Sequence, residues 1–183
     1  MGISLSHARY EEIKRIVVEM VVRYGVSTVP INGFRLASKM GVTVIPYSAT
    51  PESKRWLLFK KSEDGFTVEK SIGEWYIYYD DRSEYGRINN TIMHEIGHIV
   101  LDHSEGSELA EKEAKFFAKY ALVPPVLVHK LGLDNPMDIV STFDVSFEAA
   151  CYAYSYYKKW RQHGFLKYTK YEATLLQLFQ GIS

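Results

Sequence analysis

The chain has 183 residues, enough for one compact hydrophobic core and few for two independent domains. Its 22 lysines and arginines balance 22 aspartates and glutamates, which excludes the whole-molecule positive field of a dedicated nucleic-acid binder. A single cysteine, Cys151, excludes an internal disulfide, and no apolar run is long enough to span a bilayer; the composition points to the reducing cytoplasm.

At the N-terminus the apolar residues from Ile13 to Val22 are interrupted by charge and lack a cleavage site, so they do not read as a secretory signal. Two short patterns carry little information: Met1-Gly2-Ile3-Ser4-Leu5-Ser6 fits a loose myristoylation pattern, and Asn89-Asn90-Thr91 a glycosylation sequon. Residues Tyr10 to Tyr24 repeat apolar side chains at helical spacing (Ile13, Ile16, Val17, Met20, Val21) and stop at Gly25. A short helix is predicted from Gly33 to Met40, closed by Gly41, and the β-branched run Val42 to Ile45 reads as a strand. Further strands are predicted at Arg55 to Phe59, Phe66 to Val68 and Trp75 to Tyr79, separated by turn residues at Ser62 to Gly65 and at Ile72-Gly73. A small, mostly antiparallel sheet follows from these.

From Ser83 onward the pattern turns helical. Ser83 is a candidate cap for a helix running through His94 and His98 to about Leu101, followed by helices at Ser107 to Tyr120, Pro125 to Leu131, Pro136 to Phe143, Ser146 to His163 and Thr169 to Phe179. Strands before helices make the fold class α+β. The apolar stretch around Cys151 predicts a packing role for that side chain.

One motif has a mechanism attached. In His94-Glu95-Ile96-Gly97-His98 the four-residue spacing brings both imidazoles to one face of a helix, about 6 Å apart along its axis, as two ligands of a tetrahedral zinc require. Glu95 projects beside the metal and suits a general base that takes a proton from the attacking water. Thr91-Ile92-Met93 and Ile99-Val100-Leu101 flank the motif with apolar residues, so its polar groups enter a buried environment where a metal offsets their desolvation. A third ligand is needed if one position is to stay open. His103 is rotated by roughly 140° on the same helix, or lies past its end, and is a poor candidate. The following helix offers Glu108, Glu111 and Glu113; Glu111 and Glu113 point about 200° apart, so only one can face the metal, and spacing alone leaves the choice open.

The run Tyr79-Asp80-Asp81, then His94 through His103, Glu111 through Ala118 and Leu122-Val123-Pro124 resembles the ImmA/IrrE family of metallopeptidases, with weaker likeness extending over roughly residues 10 to 160. The resemblance implies a minimal gluzincin-like core followed by helices, written across 1–183 as one domain with a core at about 10–125 and a helical extension at about 126–183. It places the third ligand on Glu111, with His94 and His98, and the catalytic base on Glu95. It implies a zinc-dependent endopeptidase acting on a specific protein, a helix-turn-helix repressor of a phage or mobile element. Lys115 departs from the family's pattern, where a polar amide or acid is commoner.

Two other readings remain. A zinc-stabilised module that sequesters a repressor or toxin without cutting it would keep the same ligands. A DNA-binding regulator would use Pro136 to Trp160 as a helix-turn-helix, but the second helix is rich in Tyr and Ala, with Lys158, Lys159 and Arg161 only at its end, which does not suit direct recognition of bases. The aromatic strand Trp75 to Tyr79 is a candidate both for core packing and for pairing with an extended substrate at a sheet edge.

Overall fold

A computed structural model describes residues 4–104, 106–164 and 167–182; Met1, Gly2 and Ile3 of the myristoylation pattern lie outside it. The order is α1 (His7–Arg23), α2 (Gly33–Met40), β1 (Thr43–Pro46), α3 (Glu52–Lys61), β2 (Gly65–Ser71) and β3 (Glu74–Tyr79). Then come α4 (Tyr85–Val100), α5 (Glu108–Leu122), α6 (Pro125–Lys130), α7 (Pro136–Phe143), α8 (Phe147–Gly164) and α9 (Lys170–Leu178). The class is α+β with a helical C-terminal half.

The sheet has three strands in the order β1-β3-β2. It is mixed, because β2 pairs antiparallel with β3 through a tight turn at Ile72-Gly73, where Gly73 takes φ +78°, whereas β1 arrives from the other side and pairs parallel. The aromatic strand β3 is therefore central. Both its edges are taken, so it has no edge to offer a substrate, and β2 and β1 are the edge strands.

The segment Arg55 to Phe59 is a helix, not the expected strand. Its apolar residues are consecutive and do not alternate, and the flanks settle the outcome: Glu52 occupies the first turn and Lys60 and Lys61 the last, each favourable to the helix dipole. Only one side of this helix finds packing, Phe59 meeting the ring of Tyr47 edge-on at 5.0 Å, while Trp56 and Leu57 stay exposed.

One face of the sheet receives α4. Ile77 of β3 is fully buried there, and Thr67 stands opposite it on β2, so both side chains project to the same face. The other face carries Phe66 stacked on Tyr78 at 5.2 Å. Helix α4 begins at Tyr85 with Glu84 at the cap position, one residue after Ser83, and is buried through Ile92, Met93 and Ile96. Asn89 of the sequon is buried on the α2 side, where its Oδ1 accepts the Gly33 N–H at 2.6 Å and its amide donates to the Ile31 carbonyl at 3.0 Å. These two bonds within the chain tie α4 to the start of α2 and account for the burial of the Asn89 side chain.

Helix α5 returns against α4, its start capped by Ser107, which accepts the Ala110 N–H. The close approach is made at Gly97, where an added Cβ would stand 3.0 Å from Phe117 Cδ1. Helices α1, α8 and α9 close the far side of α5 and α6 around Val17, Ala150, Leu175 and Phe179. Cys151 lies half-buried on α8. Among the described residues no helix is long and apolar enough to cross a membrane.

Candidate metal centre

Four-residue spacing on α4 sets the rings of His94 and His98 4.7 Å apart, nearly perpendicular, with their Nε2 atoms 3.1 Å from each other. The first turns of α5 bring the carboxylate of Glu111 onto the same point. Its Oε2 lies 3.3 Å from His94 Nε2 and its Oε1 3.3 Å from His98 Nε2. Ligand atoms held tetrahedrally at about 2.0–2.2 Å from one ion stand about 3.3–3.6 Å apart, so the three side chains are spaced as a metal triangle is, to within a few tenths of an ångström. The imidazoles are largely buried and the Glu111 side chain is 44 % exposed, which leaves an approach from solvent.

Desolvation dominates the protonation of this cluster. Burial, with the neighbouring His98 ring adding to it, lowers the His94 pKa to about 4, and burial lowers that of His98 as well. Both rings are thereby held neutral, the state in which nitrogen offers a lone pair to a metal.

Glu95 sits beside the triangle. Its ligand atoms and those of His94 and His98 lie within 4.8 Å of one another. Its carboxylate is buried, accepts a hydrogen bond from the Thr67 hydroxyl at 2.6 Å, and has its pKa raised to about 7, burial outweighing the opposing effect of the hydroxyl.

Glu113 does not join Glu111. It turns back toward α1, where Arg9 grips both of its oxygens, Nε to Oε1 at 2.8 Å, and its pKa is lowered chiefly by that guanidinium. His103 likewise stays off the triangle. Helix α4 ends in a Schellman turn: the His103 N–H bonds the His98 carbonyl at 3.0 Å and the Asp102 N–H that of Ile99 at 3.2 Å, with Asp102 at φ 54°. That turn folds the His103 ring against His98, Nδ1 to Nδ1 at 3.0 Å, and its Nε2 meets Glu113 Oε2 at 3.0 Å.

Sequence spacing does not reveal Thr67, Arg9 or the contact roles of His103 and Glu113. Thr67 had one usable signal: alternation sets it on the face opposite Phe66 and beside Ile77, the face that receives the motif helix. Arg9 lies 104 residues from Glu113 and had none.

A short sheet backed by a helix whose two histidines meet a carboxylate from the next helix, with a second buried carboxylate alongside, defines a metallopeptidase-type domain. Residues 37–155 match the Peptidase_M78 family, described as the IrrE N-terminal-like domain, and the chain belongs to that family of metal-dependent peptidases. The match begins within α2 and ends within α8, leaving α1 and α9 outside it. No curated protein matches the chain.

Proposed function

We propose that the protein is a zinc-dependent endopeptidase of the cytoplasm that cuts a specific protein, a helix-turn-helix repressor of a phage or mobile element. The observation that carries the reading is the triangle of His94, His98 and Glu111, spaced as ligands of one ion and open on the side of Glu111. Two imidazoles and a carboxylate, leaving a fourth position free, are a donor set that suits catalytic zinc. Zinc held there supplies Lewis-acid polarisation of a carbonyl and makes water a stronger acid.

The remaining work falls to the chain. Glu95 takes the proton of the attacking water and returns it to the leaving amine nitrogen as the peptide bond breaks. The Thr67 hydroxyl fixes which oxygen of Glu95 is free to do so, by occupying Oε2. Strand β2, as the sheet edge that also carries Thr67, offers backbone groups for an extended segment of substrate beside Glu95. The whole chain is read as one peptidase unit, with α6 to α9 as its helical extension, and the resemblance to ImmA/IrrE proteins supports the choice of a repressor as substrate.

The test compares wild type with His98→Ala and Glu95→Gln for metal content and for cleavage of the helix-turn-helix repressor encoded nearest to it. About one zinc per chain in wild type and Glu95→Gln, lost in His98→Ala, with cut repressor from wild type alone, is the expected result. Stoichiometric zinc with intact repressor held in a stable complex would instead make the protein a sequestering module.

A further inference from the structure

We propose that His103 and Glu113 are positioning residues for the metal: together they hold His98 with its proton on Nδ1 and its Nε2 lone pair directed toward His94 and Glu111. The inference rests on the metal-binding reading above and extends it to residues outside the ligand triangle.

The argument starts from the far end of the chain of contacts. Glu113 is a buried carboxylate, its side chain 7 % exposed, and Arg9 of α1 holds both of its oxygens. A carboxylate kept charged by a guanidinium only accepts. His103 Nε2 stands 3.0 Å from Oε2 and must therefore carry a proton and donate it. A neutral imidazole with its proton on Nε2 has a lone pair on Nδ1. That lone pair faces His98 Nδ1 at 3.0 Å, so His98 in turn donates from Nδ1 and leaves Nε2 bare. The opposite polarity fails. Were His103 to donate from Nδ1, its Nε2 lone pair would face the Glu113 carboxylate inside a buried site. Glu113 thus sets the direction of the chain, and only one neutral arrangement satisfies both of its links, Glu113 to His103 and His103 to His98.

Positioning follows from the same bonds. His98 is held on two sides, by its place on α4 and by the ring of His103 at 5.1 Å between centroids, crossed at 70°. A metal ligand that donates its second nitrogen to a fixed acceptor keeps both tautomer and ring angle, and loss of such a partner typically costs 10- to 100-fold in metal affinity. Two separate backbone devices build the arrangement here. The Schellman turn at Asp102 delivers His103, and the Arg9 contact, made by a helix outside the family match, orients Glu113.

The experiment measures zinc affinity by competition with a chromophoric chelator, with thermal melts of the metal-free proteins alongside. His103→Leu and His103→Asn are nearly equal in size, but Asn restores a carbonyl oxygen where Nδ1 accepts. Glu113→Met and Glu113→Gln form a second such pair, Gln keeping an acceptor for His103. Affinity about 10- to 100-fold weaker in the Leu and Met variants, with Asn and Gln closer to wild type than their apolar counterparts, is the expected pattern. Equal losses within each pair would mean packing alone, and affinity within about twofold of wild type in the Leu and Met variants would mean no role; either overturns the inference while wild type still binds zinc. Should the Leu variant fail to fold, the Glu113 pair decides. Wild type that takes up no zinc would overturn the metal-binding reading itself, and this one with it.

Discussion

Thr67 and Glu95 form the shortest polar contact made by a motif residue to another element, a hydroxyl donating at 2.6 Å to a buried carboxylate. Hydrogen bonds to charged groups are worth about 1.5–3 kcal/mol, which corresponds to roughly 10- to 150-fold in rate if the bond aligns the base. Thr67→Val keeps the shape and removes the hydroxyl, so kcat for repressor cleavage is expected to fall by about that factor with KM and zinc content unchanged. Thr67→Ser should keep most of the rate. A Val variant with wild-type kcat would remove Thr67 from the mechanism and leave it a packing residue of β2. The residues at this scale divide by how far their partners lie in sequence. His94, Glu95 and His98 were legible because helical periodicity alone sets their relation. Glu111 and Glu113 were legible as alternatives, but spacing left the choice between them open, since the rotation of α5 about its own axis depends on how it packs. His103 was weighed only as a ligand, because an ideal helix continued through Asp102 carries it away from the metal, and the left-handed turn at that residue is what brings it back.

The pairing of α4 with α5 decides whether two histidines and a glutamate can converge at all, and Gly97 marks where the two helices touch. A methyl group there would meet the buried ring of Phe117 at 3.0 and 3.2 Å and the Ala114 Cα at 3.4 Å. Gly97→Ala gains about 1 kcal/mol of helix propensity and loses about 1–3 kcal/mol to overpacking, so the metal-free melting temperature should hold or fall by up to about 8 °C. Zinc affinity is expected to suffer more. The strain separates the helix of His98 from that of Glu111, and 1–2 kcal/mol felt at the triangle is a roughly 5- to 30-fold loss. Titration with zinc beside a thermal melt checks both, and a variant with wild-type affinity would show that the triangle tolerates a wider crossing. The elements themselves were readable wherever caps and periods agreed, as at Ser107, Gly41 and Pro136, each at a helix boundary in the structure. Arg55 to Phe59 reads as a strand on its aromatic and leucine content, whereas the charges at either end favour the helix that forms. Strand order was not readable: β1 joins the sheet beside β3 by a tertiary contact that no local pattern announces.

Across the whole molecule, α4 and α5 lie at the middle of one continuous core. Helix α4 packs on the sheet and on α2, α5 on α1 and α8, so an ion held by His94, His98 and Glu111 links the segment before residue 101 to the helices after it. Binding to the folded state alone stabilises by RT ln(1 + [Zn]/Kd), about 4.1 kcal/mol at 1,000 times Kd. For a chain of this size each kcal/mol moves the midpoint by about 2–4 °C. Free zinc at that excess should therefore raise the melting temperature by roughly 8–16 °C over protein stripped with chelator, as read by circular dichroism at 222 nm. Some binding of zinc to the unfolded chain, which carries six histidines and a cysteine, would trim the gain. His98→Ala, lacking one ligand of the triangle, should melt at nearly the same temperature with and without zinc, and magnesium should not substitute for zinc in wild type because it prefers an all-oxygen, octahedral shell. If wild type melts identically in zinc and in chelator, then the three side chains converge without holding an ion, and their spacing reflects only the hydrogen bonds that join α4 to α5.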